Sequence, residues 1–495
     1  MRKLLVAGTV FAIGLSNAAV ASDSSEIQQL KAMIEKMQQE LQQVKAENQQ
    51  LKQEIQELKG GVPVSVPKKK ASFVSKTGKP VTFYGYFKID ASYSDSKAVG
   101  KDFILFALPE NSNGAVLKEW FPYTINSNDN DFNINFKHSR FGLLIKTKEN
   151  DYNIVGNFEF DFYGTLDDND DNPNHAGIRV RKAWVQFGKD DWNIRAGLDW
   201  MLLTQLYPHL SNFPSGAMMG NIGYRIPQIR FTKLFKFDES KLTTQVAFDK
   251  VWGDPDPVMK PYLDTGANSG RPDVQGRIAY DFYAGGVKIH LGTIGHYGKE
   301  QVTLYGGDEQ TLDTYSYGLE GAISPASWLE ISGKIWKGKN LGGWYTGGIG
   351  QGVLFVYRKL DNTLQPTGDY YLKTKLVDET TTHDPVGLVD VQEIRAEGGW
   401  VEVTLKPQHG LVFHLGYGVD NPKDSDLQYN GLYPVLARLK NTMYYGNVFY
   451  KLTPSLGLMG EVLRVKTDYP EKDMYGDTYG DGTVNRFQGS ILYFF

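Results

Sequence analysis

Apolar residues recur along this chain with two different periods. From Ile27 they step by three and four through Leu30, Ile34, Met37, Leu41, Val44, Leu51, Ile55 and Leu58, with Asn48 at one seam position. That is the heptad signature of a coiled coil, sustained over more than four heptads. Glu26, Glu40, Glu47 and Glu54 each precede a lysine by five residues, at Lys31, Lys45, Lys52 and Lys59, the spacing that bridges neighbouring helices of a parallel coil. An α-helical coiled coil is therefore expected within residues 22–59, spanning on the order of 50 Å at about 1.5 Å per residue. These positions leave open whether two or three helices join.

Beyond Pro80 the period becomes two. Strands are expected at 84–93, 152–163, 177–188, 192–202, 242–251, 273–282, 287–294, 411–419 and 484–495. Ile154, Phe158, Phe160 and Phe162 share one face while Asn157, Glu159 and Asp161 share the other, and the alternation recurs at Val246 and Phe248 and at Ile278 and Tyr280. Short links, such as those at 148–151, 189–191, 238–240, 284–285 and 407–410, alternate with long ones at 94–130, 164–176, 203–221, 254–272, 298–312, 338–390, 420–438 and 468–483. Short turns at one end and long loops at the other are the asymmetry of outer-membrane barrels. The breaks divide residues 81–495 into about 16 antiparallel strands, or 18 if the 338–390 segment hides a hairpin. The expected fold is an all-β transmembrane barrel preceded by the coiled coil.

Two places depart from the alternation. Phe132, Ile134 and Phe136 are followed by Phe141, Leu143 and Ile145, a slip of parity that requires a bulge or a strand that starts late. Lys182 falls on the lipid side of its strand, where only snorkelling to an interface would accommodate it.

The N-terminus changes the picture of location. Arg2 and Lys3, the apolar run from Leu4 to Leu15 and Ala19-Val20-Ala21 read as a signal peptide over residues 1–21. Gly60-Gly61, Pro63, Pro67 and Lys68-Lys69-Lys70 mark a linker over 60–80. No later stretch offers the roughly 18 to 20 apolar residues that a spanning helix needs, so spans must be strands. Tyr 29, Phe 26 and Trp 9 beside Gly 53, at a mean hydropathy of −0.38, fit aromatic girdles around a polar lumen. The absence of cysteine excludes disulfides and thiolate metal sites, and a net charge of −4 argues against nucleic acid as a partner. The barrel is expected in the outer membrane, in contact with its lipid, with the coil in the periplasm.

A 16-stranded barrel leaves an aqueous channel, so its chemistry is selection by size and charge. Strand parity sends Lys88, Arg179, Arg181, Arg195, Arg230 and Arg277 inward, together with Asp90, Glu159, Asp161, Asp199 and Asp281. The two sets nearly cancel, so selectivity must come from placement. Symmetric pairing puts Asp161 opposite Arg179 and Glu159 opposite Arg181, with Asp199 near Arg181. Such a cluster would orient anionic solutes or simply brace the wall. The third long loop, Thr204 to Asn221, carries Phe213, Met218 and Met219, apolar enough to fold inward and narrow the pore or to form a subunit contact. Asp167, Asp168, Asp170 and Asp171 could hold a divalent cation, though a solvated loop explains them as well.

Catalysis finds no support. His138 and Ser139 are adjacent, which on a strand sends them to opposite faces. The eight histidines show no metal spacing, and no cofactor or catalytic residue is expected.

Several segments resemble a known family. Tyr84-Gly85-Tyr86-Phe87-Lys88-Ile89-Asp90, Ser139-Arg140-Phe141-Gly142, Asn157-Phe158-Glu159-Phe160-Asp161-Phe162 and Ile178-Arg179-Val180-Arg181-Lys182-Ala183-Trp184 are similar to the opening strands of DcaP-like porins and, more distantly, of phosphate-selective porins. The coil before the barrel resembles the DcaP-like arrangement, and the closing Phe487-Gln488-Gly489-Ser490-Ile491-Leu492-Tyr493-Phe494-Phe495 resembles the last-strand signal of barrel proteins. The resemblance implies a homotrimer of 16-stranded barrels passing small anionic solutes such as dicarboxylates, with Arg140, Arg179 and Arg181 carrying over as lumen arginines. The expected function is passive diffusion across the outer membrane. The alternative is a structural tether in which the barrel anchors the coil.

Overall fold

The computed structural model describes residues 72–74, 80–100, 102–110, 130–164, 176–249, 269–342, 345–361, 365–374, 386–408, 410–476, 478 and 480–495. The expected signal peptide and coiled coil, and the acidic run from Asp167 to Asp171, lie outside the described residues.

Barrel strands follow one another as antiparallel neighbours. They are β1 (Pro80–Ser94), β2 (Asp131–Asn135 and, after a break, Arg140–Glu149), β3 (Tyr152–Gly164), β4 (Gly177–Gly188), β5 (Trp192–Trp200), β6 (Arg225–Phe237), β7 (Ser240–Asp249) and β8 (Asp273–Ala284). The second half comprises β9 (Val287–Thr303), β10 (Glu309–Ala326), β11 (Leu329–Lys339), β12 (Arg395–Gln408), β13 (Leu411–Pro422), β14 (Lys440–Lys451), β15 (Leu456–Asp468) and β16 (Gly482–Phe494). Of the eighteen members of this sheet, one is the short Ser72–Val74, which pairs back onto β1, and two are the halves of β2. Sixteen barrel strands remain among the described residues, and β1 pairs with β16 to close the ring.

The closing seam explains the last-strand pattern. Phe87 lies opposite Tyr493, Ile89 opposite Ile491 and Tyr93 opposite Phe487, and all six side chains point outward. Phe495 stacks on Phe83 at 5.1 Å between ring centres, so the terminal aromatic extends the outer girdle across the seam. The apolar belt continues round the barrel through Phe231, Val246, Ile278, Leu291, Leu319, Ile335, Val401, Leu415 and Val462, all exposed. A soluble protein would bury such a surface, whereas lipid is its natural solvent. The belt stops on β15 after Val462, where Arg464 and Lys466 turn outward and Leu463 and Val465 turn in.

The parity slip on β2 is a bulge. Asp90 pairs with Asn135 and Tyr86 with Arg140, so four steps along β1 face five along β2 and the apolar face changes from even to odd positions. Ser139 closes the gap: its hydroxyl accepts from the Lys88 N–H at 2.9 Å and donates to the Lys88 carbonyl at 3.2 Å. The bulge also overturns the expectation that His138 and Ser139 face opposite ways, because neither lies on regular strand and both are buried. A Cβ at Gly85 would meet the Arg140 carbonyl oxygen at 2.1 Å, so only glycine permits this close approach.

Two long connections differ from their expected form. Residues 298–312 are mostly strand, because β9 and β10 run on for 17 and 18 residues to a tight turn at 304–308. Val302 and Leu312 on this arm are buried against Phe355, Leu388 and Val391. The 340–394 connection forms its own three-stranded sheet, Val353–Leu360 between Pro366–Thr374 and Val386–Glu393, while β11 pairs directly with β12. Its hairpin therefore adds nothing to the barrel, which decides 16 strands over 18.

Ile335 sits in the outer belt and its neighbour Lys334 points inward. Ile335→Arg is expected to destabilise the barrel by about 2 kcal/mol or more, as a charge on a lipid face does. Urea titration of the protein folded into lipid vesicles measures this, and unchanged stability would refute the assignment of that face to lipid.

Candidate pore constriction

The connection between β5 and β6, residues 201–224, turns into the lumen and crosses it. Its apolar residues Leu203, Phe213, Met218 and Met219 are buried there. A backbone crossing a narrow lumen loses water, so its polar groups need protein partners. The facing wall supplies them. Trp336 Nε1 donates to the Gly220 carbonyl at 2.7 Å, and the Lys334 ammonium donates to the carbonyls of Leu203 and Leu206. Glu461 accepts from the N–H groups of Ser211 (2.6 Å) and Asn212 (2.8 Å). Glu402 accepts from the His209 N–H and from its ring Nδ1, both at 2.7 Å, and this bond holds the imidazole above its ordinary pKa. Lys88 on β1 also donates to Ser211, at 3.0–3.2 Å. Gly220, at φ +109°, lies so close to Gly399 that a Cβ would come within 2.2 Å of its carbonyl oxygen.

The residues expected to line the pore fall into three groups. The largest lies on β1 to β4. Arg179 faces Asp161 across the strand pair and engages it bidentately, Nε to Oδ1 at 3.0 Å and Nη2 to Oδ2 at 2.7 Å. Arg181 bridges Glu159 and Asp161, each at 2.9 Å. Arg140 contacts His138 Nε2 at 2.9 Å, and Lys88 contacts its Nδ1 at 3.1 Å and Asp90 at 3.2 Å. The second group joins Arg195 and Arg230 through Asp199, with Arg195 lying over the Trp184 ring at 3.9 Å. In the third, Arg277 pairs with Glu320 at 2.6 Å.

A second bulge corrects two expectations. The ladder shifts between Glu159 and Phe160, so Glu159 sits opposite Lys182 and Phe160 opposite Val180. The extra residue turns Lys182 from the lipid side to within 3.4 Å of Glu159. Asp199, expected near Arg181, pairs with Arg195 and Arg230 instead. Sequence reasoning missed the anchors Lys334, Glu402 and Glu461. Glu402 stands between Val401 and Val403 in clear alternation, so its inward direction was readable, but its partner on the crossing segment was not.

Exposure separates the charges that counting balanced. The side chains of Arg179, Lys182 and Arg195 are 28, 26 and 24 % exposed, whereas those of Asp161, Asp199 and Glu159 are 0, 6 and 7 % exposed. In these pairs the cation is the more exposed partner, whereas Lys88, Arg181 and Arg230 are buried together with their carboxylates. Asp281 is an exposed exception, three residues from the short turn after β8 and paired with Lys241 and His290.

The model of the DcaP outer membrane protein family matches residues 11–251. Nearly half of the chain thus resembles the DcaP outer membrane protein family. The barrel of the DcaP-like chain is similar to the outer membrane channel DcaP of Acinetobacter baumannii, with a TM-score of 0.60 at 18% identity over 86% of this chain and 100% of that one. Weaker likenesses extend to OmpF of Salmonella typhi (TM-score 0.49, 12% identity, 86% and 100% covered) and to an anion-selective porin from Comamonas acidovorans (0.47, 12%, 84% and 100%). Comparison with curated protein sequences gave no match. Family and fold together place the DcaP-like barrel in the bacterial outer membrane with a porin-like channel architecture.

Glu461 holds two backbone donors of the crossing segment, and a lost partner leaves them unsatisfied at about 1–3 kcal/mol. Glu461→Ala is expected to loosen the segment and raise open-channel current noise in single-channel recordings. Noise equal to that of the parent would show that the segment is held without it.

Proposed function

We propose that this DcaP-like barrel is a passive diffusion porin that favours small hydrophilic anions, dicarboxylates among them, and that it works as a homotrimer. One observation carries the anion preference. The cations Arg179, Lys182 and Arg195 are partly exposed while the carboxylates they pair with are buried behind them, and Arg179 lies against Phe213 of the crossing segment. A passing anion meets positive charge first. Arg179 already commits Nε and Nη2 to Asp161, so the attraction it offers is partial. A pore needs that restraint, since a solute bound too tightly would not leave. The crossing segment narrows the path beside this wall, with Phe213 packed 5.0 Å from the Arg179 guanidinium. The heptad seam of the N-terminal region supports self-association, and the trimer follows the DcaP-like resemblance.

Liposome swelling with succinate against a neutral sugar of similar size tests this reading. One unit charge at about 4 Å is worth about 1 kcal/mol in water, which sets the size of the effect. Arg179→Ala/Lys182→Ala is expected to slow succinate several-fold and leave the sugar rate unchanged. Equal rates for both solutes in parent and variant would refute the anion preference.

A further inference from the structure

His209, Glu402 and His414 come from three separate elements, the crossing segment, β12 and β13, and meet at one carboxylate oxygen. Glu402 Oε1 lies 2.7 Å from His209 Nδ1 and 3.3 Å from His414 Nδ1. The two imidazole rings stack with centres 4.6 Å apart and planes 19° from parallel. The other oxygen, Oε2, is occupied by the Tyr445 hydroxyl at 2.5 Å and the His209 N–H at 2.7 Å. The Thr404 hydroxyl stands beside the cluster, 2.9 Å from His414 Nδ1 and 3.2 Å from Glu402 Oε1.

We propose that His209, Glu402 and His414 bind a divalent transition-metal cation, with Zn²⁺ as the probe, and that the bound ion fastens the crossing segment to the barrel wall. The donor set is two imidazoles and a carboxylate, with ligand atoms within 4.8 Å of one another. Such donors suit Zn²⁺ and its neighbours, whereas Mg²⁺ and Ca²⁺ take oxygen ligands. Donors held tetrahedrally at roughly 2.0–2.1 Å from zinc stand about 3.3 Å from one another. The Glu402–His414 distance already meets that value. His209 must withdraw by about 0.6 Å from its 2.7 Å contact and turn its ring out of the stack on His414, so that the ion lies in the plane of both imidazoles, and it is placed to do so on a loop with half of its side chain exposed. The same exposure gives the ion a route from the lumen and a water for its fourth position. Glu402 itself is buried and fixed through Oε2 by Tyr445, the outer-shell support that metal carboxylates use. The Thr404 hydroxyl, a neutral partner, gives way when the ion takes His414 Nδ1.

This inference does not depend on the anion preference, because it is read by cation binding without flux. Isothermal titration of ZnCl₂ into the detergent-solubilised full chain is expected to show a single site per chain, with no comparable heat from MgCl₂. His414→Ala is expected to weaken binding roughly tenfold or more, and His209→Ala likewise. Heat-modifiable migration on an unheated gel verifies that each variant keeps its barrel. Anomalous diffraction at the zinc edge locates the ion between the two histidines. A folded parent that takes up no Zn²⁺, folded variants that bind it as the parent does, or Mg²⁺ binding as tight as Zn²⁺ would overturn the proposal.

Discussion

Hydrocarbon offers a backbone no hydrogen-bond partner, so a chain that crosses a bilayer as strands must satisfy its N–H and C=O groups within a closed ring. Here that condition is met where β16 returns to β1 and the outward aromatics of the two strands meet across the seam. Closure creates an inside and an outside with opposite demands, and the two-residue period serves both at once. The same condition governs the exceptions. At the β2 bulge the Ser139 hydroxyl restores both ladder bonds of Lys88, and the crossing segment 201–224 exists inside the lumen only because Lys334, Trp336, Glu402 and Glu461 meet its backbone.

Those anchors shape the electrostatics of the channel. The carboxylates Glu402 and Glu461 lie on β12 and β15 and are consumed by the crossing segment, while the arginines lie on β4, β5 and β6 across from them. On the arginine side, Asp161 and Glu159 fix the guanidinium groups from behind. On that wall Arg179 and Arg195 are more exposed than the carboxylates that fix them. Charge in a narrow, low-dielectric passage acts more strongly on a solute than the same charge on an open surface.

Much of the barrel was legible in the sequence because lipid and lumen impose opposite chemistry on neighbouring residues. Phe158 against Glu159, Val246 against Gln245 and the closing aromatics all point as their alternation requires. The inward turn of 201–224 was legible from the apolar Phe213, Met218 and Met219 in a loop. The bulge at Arg181 was not, since an extra residue in a charged strand leaves no compositional mark, and Lys182 was misassigned with it. Nor could the meeting of His209 with Glu402 be read, because it depends on where a loop lands after the ring has closed. The 298–312 arm escaped notice because its strands continue past the belt to pack on the loop sheet instead of lipid.

Reversal potential in a planar bilayer under a KCl gradient tests the central claim most directly, because it reads the sign of the charge that ions meet at the constriction. The account predicts a potential of anion-selective sign for the parent and a clear move toward the unselective value in Arg179→Ala/Arg195→Ala. A cation-selective parent, or a variant with the parent's potential, would contradict it.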